Sequence, residues 1–333
     1  MKTISIIIAI FNRKDELFEL LNSLIAQTDK NFEVIIVDDG SQVDLLPTVE
    51  TFKGMLEIQY FKKTNSGPGL SRNYGANRAK NDWLVFVDSD VIVEKDYIEN
   101  IKKNLENTDC AAFGGADKAH KGFNILQKAI SYSMTSVFTT GGIRGSKKAV
   151  TRFQPRSFNM GVNKEIFLKI GGFSEMRIGE DPDLSMTIWE NGHQTAFFDN
   201  IGVYHKRRTD LGKFSKQVYQ FGCARPILNQ RHPNYVKPTF WFPALFFLGY
   251  IVGILEYFFL QKGFVLACYG FYTFVIFFHA LFLTKNLAIA TQAIITTYIQ
   301  MFSYGYGFLE SWIKLNILRM KPEVAFPKHF HQK

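Results

Sequence analysis

The stretch Trp83-Leu84-Val85-Phe86-Val87-Asp88-Ser89-Asp90 is the part of the sequence that decides the fold. An uninterrupted apolar run of this kind is typical of a strand buried on both faces of a sheet, and two carboxylates follow it directly. Residues 32–37 form a similar run, which ends at Asp38 and Asp39. Because ligands bind beyond the carboxyl ends of parallel strands, the sequence predicts that the two acidic pairs share one site.

Strands and helices alternate along the chain up to this stretch. Apolar, β-rich runs predict strands at 3–10, 32–37, 56–61 and 83–87. Apolar residues at helical spacing predict helices at 15–27, 44–54 and 67–79. This order is typical of an α/β fold in which helices cover both faces of the sheet. We therefore predict a Rossmann-like domain with a mainly parallel sheet.

The sequence becomes strongly apolar after about Thr239. The 333 residues include 33 Phe, and the runs at 239–260 and 264–283 reach the roughly 20 residues that a spanning helix needs. A third run, at 287–309, contains Gln292, Gln300 and several Thr residues, so it could span, pack against the other two or lie at the interface. We predict a membrane region at 236–315 with two or three hydrophobic helices. Core helices of a soluble domain are the alternative.

The formal net charge of +9 comes with a basic cluster just before the apolar region. No RNA- or DNA-binding motif accompanies it, so we expect anionic headgroups or phosphate, and no nucleic acid, as its partner. Basic residues next to a membrane segment also predict that this flank of the segment lies in the cytoplasm. The three cysteines are too widely spaced for a zinc site or a disulfide framework and indicate a reducing compartment. The basic residues of the cluster are Lys206, Arg207, Arg208, Lys213, Lys216, Arg225, Arg231 and Lys237.

Two acidic motifs have residue types that suit catalysis. Asp88 and Asp90 offer the carboxylate oxygens that Mg²⁺ or Mn²⁺ prefers, although Asp-Ser-Asp is also an ordinary turn. Glu180 and Asp181 open a predicted helix, and a like charge beside a carboxylate can raise its pKa towards the range of a general base. Acidic residues also stabilise a helix N-terminus through its dipole, and the two roles are compatible.

Further motifs identify a family resemblance. The segment Asn65-Ser66-Gly67-Pro68-Gly69-Leu70-Ser71-Arg72-Asn73-Tyr74-Gly75 precedes the fourth strand, and Gly171-Gly172-Phe173 precedes Gly179-Glu180-Asp181-Pro182-Asp183-Leu184. With the two acidic pairs, in this order, they resemble the inverting family 2 glycosyltransferases of GT-A fold. The resemblance covers residues 3 to about 225.

The resemblance implies roles for nine residues, all read at their positions in this sequence. The backbone around Ala9 and Phe11 would lie along the nucleotide base, Asp39 would hydrogen-bond the base with help from Arg72, and Asp88 would lie near the ribose and the donor sugar. Asp181 would be the catalytic base, and Glu180 would position the acceptor or share the proton. Asp90 would bind Mn²⁺ or Mg²⁺, and His205 would meet the metal or the diphosphate; a structural histidine is the alternative for His205.

The sequence departs from the family pattern at one point. Processive members carry Gln-x-x-Arg-Trp after the base motif, whereas here Gln217 to Pro226 contains Arg225 with no Trp after it. This difference favours the transfer of a single sugar.

The predicted organisation is a GT-A domain at 1–235, the membrane region at 236–315 and a basic tail at 316–333. The predicted function is metal-dependent, inverting transfer from a nucleotide sugar, with UDP as the expected nucleotide. The acceptor would be lipid-linked, in cell-envelope polysaccharide or glycolipid biosynthesis, at the cytoplasmic membrane with the catalytic domain in the cytoplasm. A polyprenyl-phosphate sugar synthase and a non-catalytic membrane scaffold are the alternatives. An oxidoreductase is disfavoured because no Gly-x-Gly-x-x-Gly turn follows the first strand.

Overall fold

The computed structural model describes residues 2–118, 123–140, 153–205 and 210–330, apart from the side chains of Thr140 and His205. Lys206, Arg207 and Arg208 of the basic cluster lie outside the described residues. The chain forms two compact units. The first consists of Met1–His120, Lys147–Lys206 and Phe330–Lys333, and the second of Lys121–Ser146 and Arg207–His329.

The first unit is built on one sheet with the strand order β3-β2-β1-β4-β7-β6-β8-β5. Strands β1 to β4 pair in parallel, whereas β7 runs antiparallel to both β4 and β6 and β5 runs antiparallel to β8. The predicted α/β fold is confirmed, and beyond β4 the sheet is mixed. The strands are β1 Ile4–Ile10, β2 Phe32–Asp38, β3 Glu57–Lys62, β4 Trp83–Asp88, β5 Val91–Val93, β6 Ala112–Lys118, β7 Asn159–Asn163 and β8 Thr195–His205.

Thirteen α-helices are assigned within the described residues. Short 3₁₀ turns lie at Pro233–Tyr235, Pro238–Trp241 and Pro327–His329, and a π-helical turn lies at Ile313–Ile317. The helices are α1 Lys14–Ile25, α2 Leu46–Phe52, α3 Pro68–Ala76, α4 Tyr97–Asn107, α5 Ile125–Thr135, α6 Val137–Thr140, α7 Lys164–Lys169, α8 Glu180–Glu190, α9 Leu211–Arg231, α10 Phe242–Leu260, α11 Phe264–Thr284, α12 Leu287–Trp312 and α13 Pro322–Ala325.

The main core of the first unit lies between the sheet and its helices. Ile4, Ile6 and Ile8 of β1 are fully buried, and Leu17 and Leu20 of α1 belong to the same cluster. Each such side chain contributes roughly 1.5–3 kcal/mol through its removal from water. This core holds the ends of β1, β2 and β4 at one edge of the sheet.

The second unit contains the apolar helices. Two segments, Pro238–Leu260 and Phe264–Thr284, are long and apolar enough to cross a membrane, and only 11% of the apolar window of each is buried. A core helix of a soluble protein would be mostly buried. In α12, by contrast, Ala290, Ala293 and Met301 are fully buried, and this helix packs against α5, α9, α10 and α11.

Candidate active site

The candidate site lies at the edge of the sheet where β1, β2 and β4 end. In the strand register, Ile10 of β1 stands opposite Asp38 of β2, and Ala9 stands opposite Asp88 of β4. The two acidic pairs therefore reach the same edge, as the sequence predicts. Phe11 follows β1 directly and is 45% exposed, so its ring is available to a ligand at this edge.

Asp39 is buried and orders the loop before α3. One of its carboxylate oxygens accepts hydrogen bonds from Lys63 Nζ at 2.6 Å and from the Ser66 amide at 2.9 Å. The other oxygen accepts from the amide of Gly67 at 2.7 Å. An ionised carboxylate can accept about four hydrogen bonds, so one position remains for the base contact that the resemblance implies. Asp38, which is also buried, accepts from the Ser41 amide and from Tyr60 Oη, both at 2.7 Å.

Arg72 connects the end of β4 to the start of α8. Its guanidinium donates to Asp88 at 2.7 Å and to Glu180 at 3.2 Å, and it lies 5.4 Å from the ring centre of Phe173. Burial alone would lower the pKa of Arg72, but Asp88 and Glu180 raise it further than burial lowers it. The structure thus brings Arg72 to Asp88 and Glu180, whereas the sequence resemblance assigned it to the base beside Asp39.

Glu180 and Asp181 begin α8 and differ in their surroundings. Glu180 is buried, and burial together with the charge of Asp181 raises the pKa of Glu180 to about 7, against the lowering effect of Arg72. The Asp181 side chain is 17% exposed and lies 3.4 Å from Arg156. Both carboxylates stand at a helix N-terminus, where the dipole favours negative charge. Glu180 can therefore carry a proton near neutral pH.

The Gly-Gly-Phe turn is held by α3. Asn73 accepts a hydrogen bond from the Phe173 amide at 2.9 Å and donates to its carbonyl at 2.7 Å. Gly172 has a φ of +70°, and a Cβ at this position would lie 2.6 Å from Asn73 Oδ1. This clamp fixes the Phe173 ring beside the guanidinium of Arg72, so two motifs separated by about a hundred residues act as one structure.

The carboxylates of Asp88 and Asp90 suit a metal that is shared with a ligand. Within the described residues, no group of three His, Cys, Asp or Glu side chains could hold an ion by itself. Mg²⁺ commonly uses one or two carboxylates together with substrate phosphates, and this donor set fits that arrangement. Asp90 forms an ion pair with Arg13 and Asp88 pairs with Arg72. The side chain of His205, the other predicted metal ligand, lies outside the described residues.

Three basic side chains at the site were not found by sequence reasoning. Arg13 pairs with Asp90, Lys63 with Asp39 and Arg156 with Asp181. Burial lowers the pKa of Arg13, but Asp90 more than offsets this and raises it. The partners are 77, 24 and 25 residues apart in sequence, so no spacing pattern indicates the pairs. With Arg72, they give each carboxylate of the candidate site a cationic partner.

Comparison with known proteins supports the assignment of this chain to the glycosyltransferases. A model of glycosyl transferase family 2 matches residues 5–170. An uncharacterized glycosyltransferase of Haemophilus influenzae is 31% identical over 220 residues, which are 62% of this chain and 70% of that protein. An uncharacterized glycosyltransferase of Rickettsia felis is 40% identical over 103 residues, which are 31% of this chain but only 17% of that longer protein.

Two solved structures share the fold at low sequence identity. One is the mannosyltransferase PcManGT from Pyrobaculum calidifontis in complex with GDP-Man and Mn²⁺, with a TM-score of 0.56 at 16% identity. The match covers 96% of this chain and 88% of the PcManGT chain. The other is TarS 1–349 of S. aureus in complex with UDP, with a TM-score of 0.50 at 18% identity. The match covers 93% of this chain and 91% of the TarS 1–349 chain. By the shared motifs, the fold and the Haemophilus relative, the chain belongs to glycosyl transferase family 2.

Proposed function

We propose that the chain transfers one sugar, with inversion, from a nucleoside-diphosphate sugar to a hydroxyl group of a lipid-linked acceptor. The observation that carries the proposal is the bridge that Arg72 makes between Asp88 and Glu180. The bridge joins the end of β4, which we expect to contact the nucleotide, to the start of α8. We expect the start of α8 to contact the acceptor. A donor and an acceptor held at these two ends would be close enough to react, which removes much of the entropic cost of bringing them together.

Asp181 is the proposed catalytic base. Inverting transfer needs one base that removes the proton of the attacking hydroxyl while the diphosphate leaves from the opposite face of the sugar. Asp181 is more exposed than its neighbour Glu180, and so it is the member of this pair that an acceptor can reach. Glu180, whose pKa is raised by burial, is the proposed positioning residue: it holds Arg72 and donates or accepts a proton near neutral pH.

The proposed donor site uses Ala9, Phe11, Asp39, Arg72 and Asp88. Arg72 keeps a buried Nε–H without a hydrogen-bond partner. A buried donor left unpaired costs about 1–3 kcal/mol, and an oxygen of a bound nucleotide would satisfy it. UDP is the nucleotide we expect, and the presence of UDP in the TarS complex supports this expectation.

A divalent ion, Mn²⁺ or Mg²⁺, is proposed to act with Asp90 and His205. When bound, the ion neutralises charge on the departing nucleoside diphosphate. The PcManGT complex contains Mn²⁺, which supports a metal in this fold. Arg13 pairs with Asp90, so the ion would share this carboxylate with the guanidinium or compete with it.

The acceptor is proposed to be lipid-linked because the chain carries two helices suited to a membrane. We place the enzyme at the cytoplasmic membrane, with the catalytic domain in the cytoplasm, in cell-envelope polysaccharide or glycolipid biosynthesis. The glycosyltransferase relatives favour an enzyme over a non-catalytic scaffold. A polyprenyl-phosphate sugar synthase differs in its acceptor, which is already ionised and needs no base.

The donor site can be tested by thermal unfolding of the detergent-purified full chain with UDP, GDP, dTDP or NAD, each with and without Mn²⁺. A ligand at about a hundred times its dissociation constant stabilises by roughly 2.7 kcal/mol. We expect one nucleoside diphosphate to stabilise the wild type only with Mn²⁺, and to have no effect on Asp90→Ala. Asp109→Ala, which removes an exposed carboxylate of the same unit, should behave as wild type. Stabilisation by NAD alone, or by none of the four, would contradict the proposal.

A further inference from the structure

The loop at residues 174–179 joins Phe173 to the start of α8, so the two carboxylates that open α8 follow it directly. Its first end is held, because Asn73 bonds both the amide and the carbonyl of Phe173. Its last residue, Gly179, has a φ of +89°, a backbone conformation that glycine adopts readily. The conformation of this loop therefore sets where α8 begins.

The middle of this loop is paired with a residue from far along the chain. Met176 is fully buried, although its neighbours Glu175 and Arg177 are exposed. An isolated antiparallel β-bridge joins Met176 to Phe330, which is 7% exposed and belongs to the same compact unit. Two large apolar side chains are thus removed from water where the loop and Phe330 meet, which favours the paired arrangement over an open loop.

Phe330 belongs to a folded segment that also contains a matched phenylalanine. This segment includes α13 and the 3₁₀ turn at Pro327–His329. Phe326 is 7% exposed, as Phe330 is, and its ring lies 4.7 Å from Lys314 Nζ and 5.4 Å from the ring centre of His329. Those contacts are internal to the second unit, whereas Phe330 is part of the first. The two phenylalanines are therefore equally buried but have different neighbours.

The pair of Met176 and Phe330 can influence the reaction only through position. Neither side chain ionises, so neither can act as an acid or a base. A general base works only within hydrogen-bond reach, roughly 2.6–3.2 Å, of the proton that it removes. A displacement of about 1 Å can lower a rate about a hundredfold. Holding the loop before α8 therefore matters for Asp181, which lies in the first turn of that helix.

We propose that Phe330 is a positioning residue for sugar transfer: its pairing with Met176 holds the loop at 174–179 and keeps the start of α8 in place. The inference rests on the proposed function, in which Asp181 is the base. It adds a requirement for a residue far beyond the part of the chain that the family model matches, which ends at residue 170.

The first test measures release of the nucleoside diphosphate by the full chain, with water as the acceptor and the nucleotide sugar whose nucleotide stabilises the protein. Phe330→Ala should lower kcat about tenfold or more. Its KM and its stabilisation by the nucleotide should stay unchanged, because Asn73 still holds Phe173 beside Arg72. Phe330→Leu, which keeps an apolar side chain, should recover most of kcat, and the control Phe326→Ala should keep the wild-type value. A wild-type kcat in Phe330→Ala, or an equal loss in Phe326→Ala, would overturn the proposal.

A disulfide provides a second test, which also serves if Phe330→Ala does not fold. Met176→Cys/Phe330→Cys is made in a chain whose three native cysteines are replaced by Ala. Paired residues of an antiparallel bridge have Cα atoms about 4.5–5.5 Å apart, within the roughly 4.4–6.8 Å of disulfides. The oxidised protein should keep most of kcat and lose it on reduction, while Phe330→Cys alone should not respond to the oxidant. Failure of the disulfide to form, or a kcat that is the same in both forms, would contradict the proposal.

The two tests separate this inference from the proposed function. A wild type that releases no nucleoside diphosphate would overturn the proposed function, whereas disulfide formation would still report on the contact between Met176 and Phe330. An active wild type with an equally active Phe330→Ala would overturn the positioning role alone.

Discussion

At the scale of single residues, the site is a set of charges that are paired before any ligand arrives. Asp88 and Glu180 share Arg72, Asp90 pairs with Arg13, and Asp181 lies beside Arg156. Removing one partner of a buried pair leaves an uncompensated charge, which typically costs about 3–5 kcal/mol. A ligand that binds these carboxylates would therefore share them with their cationic partners or displace those partners.

Arg72→Met tests the importance of the buried bridge. This change leaves Glu180 buried beside Asp181 without its cation. We expect the free energy of unfolding to fall by about 3 kcal/mol, towards the lower part of the range for broken buried pairs because Asp88 is a third exposed. Urea denaturation of wild type and variant measures this change in the free energy of unfolding. Arg72→Met/Glu180→Gln should recover part of the loss, and no recovery would argue that Arg72 stabilises through packing on Phe173 instead.

The pH dependence of stability tests Glu180. Its pKa is about 7 in the folded chain against an ordinary 4.5. A carboxyl with a raised folded pKa gives stability that is complete below its unfolded pKa and is lost as the pH rises through the folded value. The wild type should therefore lose stability through this group between about pH 4.5 and pH 7, and Glu180→Gln should not.

The measurement is the melting temperature of Glu180→Gln minus that of wild type, which should increase as the pH rises across this window. Glu106→Gln, an exposed glutamate of α4, is the control and should give a constant difference. A constant difference for Glu180→Gln as well would mean that this carboxyl is not held protonated in the folded chain.

The acidic and glycine-rich residues of the candidate site could be predicted from the sequence, but the side chains that pair with them could not. Asp39, Asp88 and Glu180 follow strand ends or open a helix, and such positions can be read from local patterns. Arg13, Lys63 and Arg156 reach the site only through tertiary folding, so no local pattern distinguishes them from surface cations. Arg72 was recognised, but the family pattern alone could not show that it bridges Asp88 and Glu180.

At the scale of elements, the clamp between α3 and the Gly-Gly-Phe turn positions Phe173 and, through it, Arg72. Both glycines of the turn have positive φ, +86° at Gly171 and +70° at Gly172. A Cβ at Gly171 would have nothing within 4 Å, whereas a Cβ at Gly172 would meet Asn73 and Phe167 at 2.6 and 2.9 Å. An alanine at Gly171 would therefore have only the backbone strain of a positive φ, whereas an alanine at Gly172 would have this strain and a steric clash as well.

We therefore expect Gly171→Ala to cost about 1 kcal/mol from the left-handed conformation alone. Gly172→Ala should cost clearly more, and should also weaken nucleotide binding because it displaces Phe173 from Arg72. Denaturant unfolding and the nucleotide thermal shift measure the two effects. Equal losses for the two variants would contradict the clamp.

The apolar hairpin of α10 and α11 offers a similar pair of glycines. A Cβ at Gly253 of α10 would lie 3.0 Å from Val265 Cγ1, whereas Gly270 of α11 has nothing within 4 Å of such an atom. Close helix packing in membranes relies on small residues at the interface. Gly253→Leu should lower the melting temperature in detergent by several degrees and Gly270→Leu should leave it nearly unchanged. The reverse order would show that α10 and α11 do not pack as described.

The alternation of apolar strands and helices up to Asp90 was readable from sequence because each element is local. The prediction of strands near 3–10, 32–37, 56–61 and 83–87 matches β1 to β4. The antiparallel placement of β7 was not readable, because Asn159–Asn163 pairs with strands far away in the chain. Helix α12 was left with three possible roles, since periodicity does not reveal which neighbours bury Thr296 and Thr297.

At the scale of the whole molecule, a unit with glycosyltransferase motifs and an apolar helical unit occur in one chain. The first carries the motifs of glycosyl transferase family 2 and the second carries both candidate spans. A tethered enzyme meets acceptors that are confined to the membrane plane, which raises their effective concentration. This combination is the physical reason for a lipid-linked acceptor in the proposed function.

The central claim, that Asp181 is the base for transfer to a hydroxyl, is tested most directly by the rate of nucleoside diphosphate release. The nucleotide sugar is the one whose nucleotide stabilises the protein, and water serves as the hydroxyl acceptor. We predict that Asp181→Asn lowers this rate by about a hundredfold or more while nucleotide binding stays unchanged. Polyprenyl phosphate should not accelerate the release by either protein. Wild-type rates from Asp181→Asn with water, or rapid release by both proteins only with polyprenyl phosphate, would contradict the claim and point to a synthase whose acceptor needs no base.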